Sequence, residues 1–203
     1  MKYLLTISVP TFNRDKYLFE CITSIKIALQ ELNREDLDLI SVFISDNSEN
    51  DLSENVVKSN IFKSINLVYN KNLTNIGSDQ NIANCYSIPN SKYVMILGDD
   101  DFLTKNSLRN IIPILKAQNY DLIFLKSYGL TRQSSESRYE KEYKNLDFNN
   151  VKDILFHRNI HLAFISTTIF NKTSVKTSDI NEGVGKFLVQ LNFVFKLLSL
   201  NTP

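Results

Sequence analysis

Short apolar runs alternate with helical stripes from the N-terminus to about Leu125, and this alternation narrows the available folds more than any other feature. Leu4–Val9 reads as a first strand. Leu18, Ile22, Ile25, Leu29 and Leu32 then recur at helical spacing and predict an amphipathic helix. Leu39–Ser45 predicts a second strand, Leu52–Ser59 a short helix and Ile65–Tyr69 a third strand. Asn75-Ile76-Gly77 marks a turn, after which Ser78 can cap a helix running to about Ser87. Tyr93–Leu97 predicts a fourth strand and Leu122–Leu125 a fifth. Thr104 is a candidate cap for the helix between them, with Pro113 implying a kink or a late start. Strands alternating with helices imply an α/β fold: a mostly parallel, open, doubly wound sheet with helices on both faces.

The rhythm breaks after the fifth strand. Residues Thr131–Asn150 are polar and charge-mixed without a clear period, which suits an irregular excursion or an antiparallel ribbon over the active edge. Leu162–Phe170 reads as a further strand. Lys186–Leu200 reads as a helix with Phe187, Leu191, Val194 and Leu198 in one stripe. The expectation is one domain over residues 1–203. The regular strand–helix half would cover 1–125 and the less regular half 126–203. The stop at Asn201-Thr202-Pro203 straight after an apolar helix suggests a truncated C-terminal part, with a natural terminus as the alternative.

In open parallel sheets, ligands bind beyond the carboxyl ends of the strands. Polar clusters occupy those ends here: Pro10-Thr11-Phe12-Asn13-Arg14 after the first strand, Asp46-Asn47-Ser48 after the second, Asn75-Ile76-Gly77 with Asn81 after the third, and Asp99-Asp100-Asp101 after the fourth. Three carboxylates at the end of a buried strand repel one another. They persist most easily around a cation, and a hard divalent metal suits oxygen ligands. A helix cap would need only one of them.

Several classes are disfavoured. The first strand lacks the GxGxxG of a dinucleotide-binding domain, and no GxxxxGK[ST] loop of a P-loop NTPase occurs. Gly183-Val184-Gly185 is only a GxG in a polar loop. The Gly-rich loop usual after the first strand of nucleotide-sugar pyrophosphorylases is also missing. A net charge of +1 gives no electrostatic case for nucleic acid. Cys21 and Cys85 are isolated and predicted as buried thiols. His157 and His161 stand i, i+4 without an HExxH pattern and are expected to be surface or core histidines rather than metal ligands. The chain has 203 residues, enough for a substantial core, and none of its apolar stretches approaches the ~18 residues of a membrane span. Met1-Lys2-Tyr3 leads straight into the first strand without a signal-peptide pattern. A cytoplasmic location is therefore expected, with peripheral association at the inner face of the membrane left open.

The four clusters, in this order and spacing, resemble glycosyltransferase family 2, the inverting enzymes of GT-A fold. The branch is that of bacterial O-antigen and capsule enzymes similar to abequosyltransferases. Ile7–Arg14 looks like the family's opening strand and donor-binding turn, Ile44–Ser48 like its second strand, Asn75–Gly77 with Asn81 like its third segment, and Tyr93–Asp101 like its metal-binding strand. The resemblance implies a nucleotide-diphosphate-sugar donor bound by Pro10, Thr11, Phe12, Asn13, Arg14, Asp46, Asn75, Gly77, Asn81, Asp99 and Asp100. It implies Mg²⁺ or Mn²⁺ on Asp99, Asp100 and Asp101, and a saccharide or lipid-linked saccharide as acceptor. Asp46 would read the ribose or base, the alternative being an Asx turn with Asn47 and Ser48. The family's Asp-x-Asp is altered. Either Gly98 replaces its first Asp and Asp100 is the second, or Asp99 and Asp101 form the pair. The family also places an acid, often Glu-Asp, before a helix in the second half. Asp179 and Glu182 precede Lys186–Leu200, and Glu182 is selected as catalytic base because it is nearer the helix start and Gly183 and Gly185 follow it and would let a loop close over an acceptor, the alternative being a solvated loop acid. The alternatives are a non-catalytic nucleotide-sugar-binding remnant and a nucleotidyltransferase of similar topology.

Overall fold

The computed structural model describes residues 1–117, 119–129, 145–148, 151–174, 176–186 and 188–200. Most of the predicted excursion over Thr131–Asn150 lies outside these residues. The element order is β1 (Tyr3–Thr11), α1 (Asp15–Leu29), α2 (Arg34–Leu37), β2 (Ile40–Asp46), α3 (Leu52–Val57), β3 (Leu67–Lys71), α4 (Ser78–Ser87), β4 (Ser91–Ile96), α5 (Ser107–Ala117), β5 (Leu122–Phe124), α6 (Val151–Arg158), β6 (Thr168–Asn171), α7 (Thr177–Asn181) and α8 (Val189–Leu200), with short 3₁₀ turns at Asn60–Phe62, Asn159–Ala163 and Ile165–Thr167.

Among the described residues the strands form one sheet in the order β3-β2-β1-β4-β6-β5. β1 runs parallel to β2 and to β4, with Leu5 opposite Ile40 and Tyr93, and β2 runs parallel to β3. β6 is antiparallel to β4, and β5 is antiparallel to β6. The sheet is thus parallel through its first four strands and mixed beyond them.

Period-2 alternation sorts the strand residues onto two faces. Leu5, Ile7, Val9, Tyr93 and Met95 pack with Leu18, Ile22 and Ile25 of α1 and Leu108 and Ile112 of α5. On the other face Phe43, Val94, Ile96 and Phe170 pack with Ala83 and Tyr86 of α4 and Phe193 and Val194 of α8. Tyr86 and Phe193 meet at 4.9 Å between ring centroids, and Phe170 closes the cluster at 5.7 Å from each of them. Every residue of β2 is buried, as expected for a central strand covered on both faces. Cys21 and Cys85 are both buried free thiols.

Three boundaries differ from expectation for identifiable reasons. Ser78 is the first helical residue of α4 and not its cap; Gly77 holds that place at φ 83°, ψ 161°, a backbone open to glycine. α5 starts at Ser107, where Thr104 contributes its carbonyl and not its side chain, and it runs through Pro113. The run Leu162–Phe170 becomes strand only from Thr168. Thr167 Oγ1 donates to Phe164 O at 2.8 Å and Thr168 Oγ1 to Ile165 O at 3.3 Å, so these hydroxyls hold the segment in turns. His157 and His161 fall on different elements, both exposed, each against a phenylalanine ring. No helix among the described residues is long and apolar enough to cross a membrane.

Candidate active site

Parallel pairing brings the carboxyl ends of β1, β2, β3 and β4 to one rim: Thr11 lies opposite Asp46, and Asp46 opposite Lys71. β6 runs the other way, so the turns leading into it reach the same rim. The loops that leave these ends carry the site.

The turn after β4 is built around Asp99, whose residue is 6% exposed. Thr11 Oγ1 donates to Asp99 Oδ2 at 2.8 Å. One guanidinium nitrogen of Arg14 lies 3.2 Å from Asp99 Oδ1 and 3.0 Å from Asp100 Oδ2. Burial pushes the Asp99 carboxyl above its usual range, while Thr11 and Arg14 pull it back. Arg14 in turn is held more firmly protonated, chiefly by Asp99. Asp101 goes elsewhere: Ser166 Oγ, from the turn before β6, donates to Asp101 Oδ2 at 2.5 Å and accepts from Gly98 N–H at 2.8 Å. The expected trio of metal ligands is therefore divided. Asp99 and Asp100 share one cationic nitrogen, whereas Asp101 is tied to Ser166.

This geometry also tests the fit to a metal. Among the described residues no three His, Cys, Asp or Glu side chains gather as a ligand set. Asp99 Oδ1 and Asp100 Oδ2 nevertheless already converge on a positive charge, with Arg14 standing where a cation is favoured. Two carboxylates completed by phosphate oxygens and water suit Mg²⁺ or Mn²⁺. Gly98 is explained by the same turn. A Cβ there would lie 3.2 Å from Asp100 Oδ1, 3.2 Å from Asp101 Oδ2 and 3.4 Å from Ser166 Oγ. An aspartate at position 98 would press on two of the turn's three carboxylates and add a fourth.

The turn after β1 faces this pair. Pro10 is half-buried, Thr11 buried and Phe12 exposed. Asn13 adopts φ 55°, a left-handed conformation that Asn tolerates. Its N–H donates to Ser48 Oγ at 2.7 Å, and its Oδ1 accepts from Asn50 Nδ2 at 3.1 Å. The turns after β1 and β2 are thereby locked together.

Asp46 takes the Asx-turn arrangement. Its side chain is fully buried, with Oδ1 accepting from Ser48 N–H at 2.9 Å and Oδ2 from the Tyr69 hydroxyl at 2.7 Å. This is the Asx turn, and it offers no exposed oxygen to a ligand. Asp46 instead positions Ser48, and through Ser48 the backbone of Asn13. Burial and then this carboxylate hold the Tyr69 hydroxyl well above its ordinary range.

Asn81 is likewise tied into the frame of the rim. It is 4% exposed. Its Oδ1 accepts from Ser45 Oγ at 2.7 Å and Asn72 Nδ2 at 2.9 Å, and its Nδ2 donates to Ser45 O at 3.1 Å and Thr11 O at 3.5 Å. Asn47 extends the network, donating to Asn75 Oδ1 at 2.6 Å and accepting from Ile76 N–H at 3.0 Å. Asn75 Oδ1 also accepts from Gly77 N–H at 2.9 Å. Asn75 and Gly77 are exposed at the rim, and Asn81 braces them from below. Removing it orphans buried groups, so Asn81→Ala is expected to cost about 1–3 kcal/mol. Urea unfolding should show a lower midpoint with an unchanged slope.

Glu182 follows α7 and its side chain is 59% exposed, with Oε2 3.3 Å from Lys196 Nζ. Its loop is pinned rather than free to close. Gly185 N–H donates to Asp79 Oδ2 in the first turn of α4 at 3.0 Å. A Cβ on Gly183 would lie 2.8 Å from the Asn192 side chain, so only glycine permits that approach. Asp179 Oδ1 lies 3.8 Å from the same lysine. The first turn of α8 carries Gln190, 5% exposed, whose Nε2 donates to Ala163 O at 2.9 Å and whose Oε1 has no hydrogen-bond partner among the described residues.

The family model of glycosyl transferase family 2 matches residues 6–178. The chain belongs to glycosyltransferase family 2. The curated relative abequosyltransferase RfbV of Salmonella typhimurium is 34% identical over 119 residues, covering 57% of this chain and 33% of RfbV. Among solved structures, S. aureus TarS superimposes with a TM-score of 0.70 at 21% identity, over 98% of this chain and 56% of that one. The mannosyltransferase PcManGT of Pyrobaculum calidifontis, in complex with GDP-Man and Mn²⁺, superimposes with a TM-score of 0.58 at 13% identity, over 91% of this chain and 47% of that one. These structures establish the GT-A fold. The chain spans about a third of the length of RfbV and about half that of the TarS structure.

Sequence reading placed the rim correctly but missed Ser166, Tyr69 and Asn72. Tyr69 and Asn72 lie at the end of the third strand and could have been suspected by position. Ser166 sits in an apolar run far along the chain, and nothing in its neighbours marks it.

Proposed function

We propose that this family 2 chain binds a nucleotide-diphosphate sugar and transfers the sugar, with inversion, to a hydroxyl of a saccharide or lipid-linked saccharide in bacterial surface polysaccharide synthesis. The observation that carries this reading is the Asp99–Arg14–Asp100 arrangement beside the β1 turn, where two carboxylates and a cation share the rim with the asparagine-bearing turns after β1, β2 and β3. It is further supported by solved neighbours of the same fold that carry UDP, UDP-GlcNAc or GDP-Man with Mn²⁺.

In this reading Asp99 and Asp100 hold Mg²⁺ or Mn²⁺, which when bound offsets charge developing on the departing diphosphate. Thr11 keeps Asp99 oriented toward the site, and Ser166 fixes the turn through Gly98 and Asp101. Phe12, Asn13, Asn75 and Gly77 line the donor side, while buried Asp46 and Asn81 hold those segments in place. Glu182 is the proposed proton acceptor for the attacking hydroxyl. Residues 1–125 serve as the donor-binding half and 126–203 as the acceptor side of one domain.

Thermal shift with a panel of nucleotide sugars, with and without Mn²⁺, tests the reading. A metal-dependent rise in Tm with one nucleotide class is expected. Analysis of products then separates the reactions: sugar transfer releases nucleoside diphosphate, whereas a nucleotidyltransferase releases or consumes pyrophosphate. Pyrophosphate as the product, or no stabilisation by any nucleotide sugar, would overturn it.

A further inference from the structure

Arg14 already neutralises the two carboxylates that a metal would need. Its one nitrogen lies 3.2 Å from Asp99 Oδ1 and 3.0 Å from Asp100 Oδ2, so guanidinium and metal compete for the same two oxygens. Two like charges close together in a partly buried turn are costly without a cation. Arg14 removes that cost in the absence of ligand. It is also placed to leave. Its side chain is 49% exposed, it follows the left-handed Asn13 at the cap position of α1, and its guanidinium carbon lies 5.8 Å from the centre of the Tyr17 ring. An aromatic face of this kind can keep a guanidinium that has let go of its carboxylates.

We propose that Arg14 is a resident counter-cation that exchanges places with the incoming ions: it yields Asp99 and Asp100 to the metal and moves onto the diphosphate of the donor. The inference rests on the donor-and-metal reading above and adds an order to it. Metal alone must displace Arg14 and binds weakly. Metal with diphosphate offers the guanidinium a new anionic partner with matching bidentate geometry, so the two ligands bind synergistically. The exchange keeps the site from being occupied by metal without donor.

Mn²⁺ binding, followed by the electron paramagnetic resonance signal of free Mn²⁺, reads this without any turnover. If Arg14 holds the carboxylates at least nine-tenths of the time, apparent Mn²⁺ affinity is reduced by about tenfold or more. Arg14→Gln, which keeps much of the side chain and removes the charge, is therefore expected to bind Mn²⁺ alone at least about tenfold more tightly than the wild type. Arg14→Ala should behave the same way. Adding UDP should tighten Mn²⁺ binding strongly in the wild type and much less in either variant, and by linkage Mn²⁺ should tighten UDP by the same factor. Equal or weaker Mn²⁺ affinity in both variants overturns the exchange while leaving the metal reading intact. Tighter Mn²⁺ with unchanged coupling to UDP overturns the transfer of Arg14 to the phosphates. No Mn²⁺ binding by the wild type or either variant, with or without UDP, overturns the exchange together with the metal site itself.

Discussion

Asp100→Ala is expected to abolish the Mn²⁺-dependent part of donor binding while leaving the melting temperature nearly unchanged. The two halves of that expectation have separate causes. Asp100 is 55% exposed at the side chain, and its charged contact is with half-exposed Arg14. Exposed pairs of this kind are worth about 0–1 kcal/mol, so the fold has little to lose. Its Oδ2 is, however, one of the two carboxylate oxygens that, among the described residues, converge on the Arg14 guanidinium nitrogen. Losing one of the two proposed protein ligands should weaken metal-assisted donor binding by about tenfold to a hundredfold or more, the range seen even for groups that merely support a ligand. Asp99→Asn should match it in binding, with a larger effect on Tm because Asp99 is buried against Thr11. Asp101→Ala is expected to behave differently. It releases Ser166 and loosens the turn, so binding should fall by less than tenfold and retain its metal dependence. Isothermal titration with the nucleotide identified by thermal shift, with and without Mn²⁺, distinguishes these patterns. Full metal dependence in Asp100→Ala, or its loss in Asp101→Ala alone, would place the ligands elsewhere.

That contrast among three neighbouring aspartates shows where sequence reading stops. The strand before them is legible because Tyr93–Leu97 is an apolar run covered on both faces, and the same holds for β1 and β2. The carboxyl-end clusters follow once the strands are parallel. Which carboxylates meet depends on partners distant in sequence. Arg14 selects Asp99 and Asp100 from the turn after β1, and Ser166, in the turn before β6, withdraws Asp101. Neither partner is implied by the local pattern Gly-Asp-Asp-Asp. Asp46 and Asn81 illustrate the same limit. Their identities fit a binding rim, yet both are buried by hydrogen bonds to Ser48, Tyr69, Ser45 and Asn72. Polar type predicts a rim position; the hydrogen-bond partners decide whether the side chain faces a ligand or braces those that do. The strand at Leu162–Phe170 failed for a local reason. Apolar content was right, but Thr167 and Thr168 bond to the backbone a turn earlier and delay the strand.

Glu182→Gln is expected to lower sugar transfer by roughly 10²–10⁴-fold, the contribution of a positioned general base. An attacking hydroxyl must lose a proton, and the first turn of α8 carries the amides of Gln190 and Asn192, which cannot take one. The nearest carboxylates in sequence are Asp179 and Glu182. Asp179 is the more enclosed: its side chain is 26% exposed, and its backbone carbonyl accepts from Asn192. Glu182 presents its carboxylate from a loop held at both ends, by Gly183 against α8 and by Gly185 against the first turn of α4, which follows the rim residues Asn75–Gly77. A base benefits from such anchoring, because proton transfer requires hydrogen-bond distance to the acceptor hydroxyl. Lys196, 3.3 Å away, then orients the carboxylate. The substitution preserves size and hydrogen bonding, so donor-induced stabilisation with Mn²⁺ should match the wild type while nucleoside diphosphate release in the presence of acceptor falls. Asp179→Asn is the control and should change turnover by less than tenfold. Near-normal turnover in Glu182→Gln would assign its ion pair with Lys196 to the surface alone, and a large loss in Asp179→Asn instead would move the base into α7.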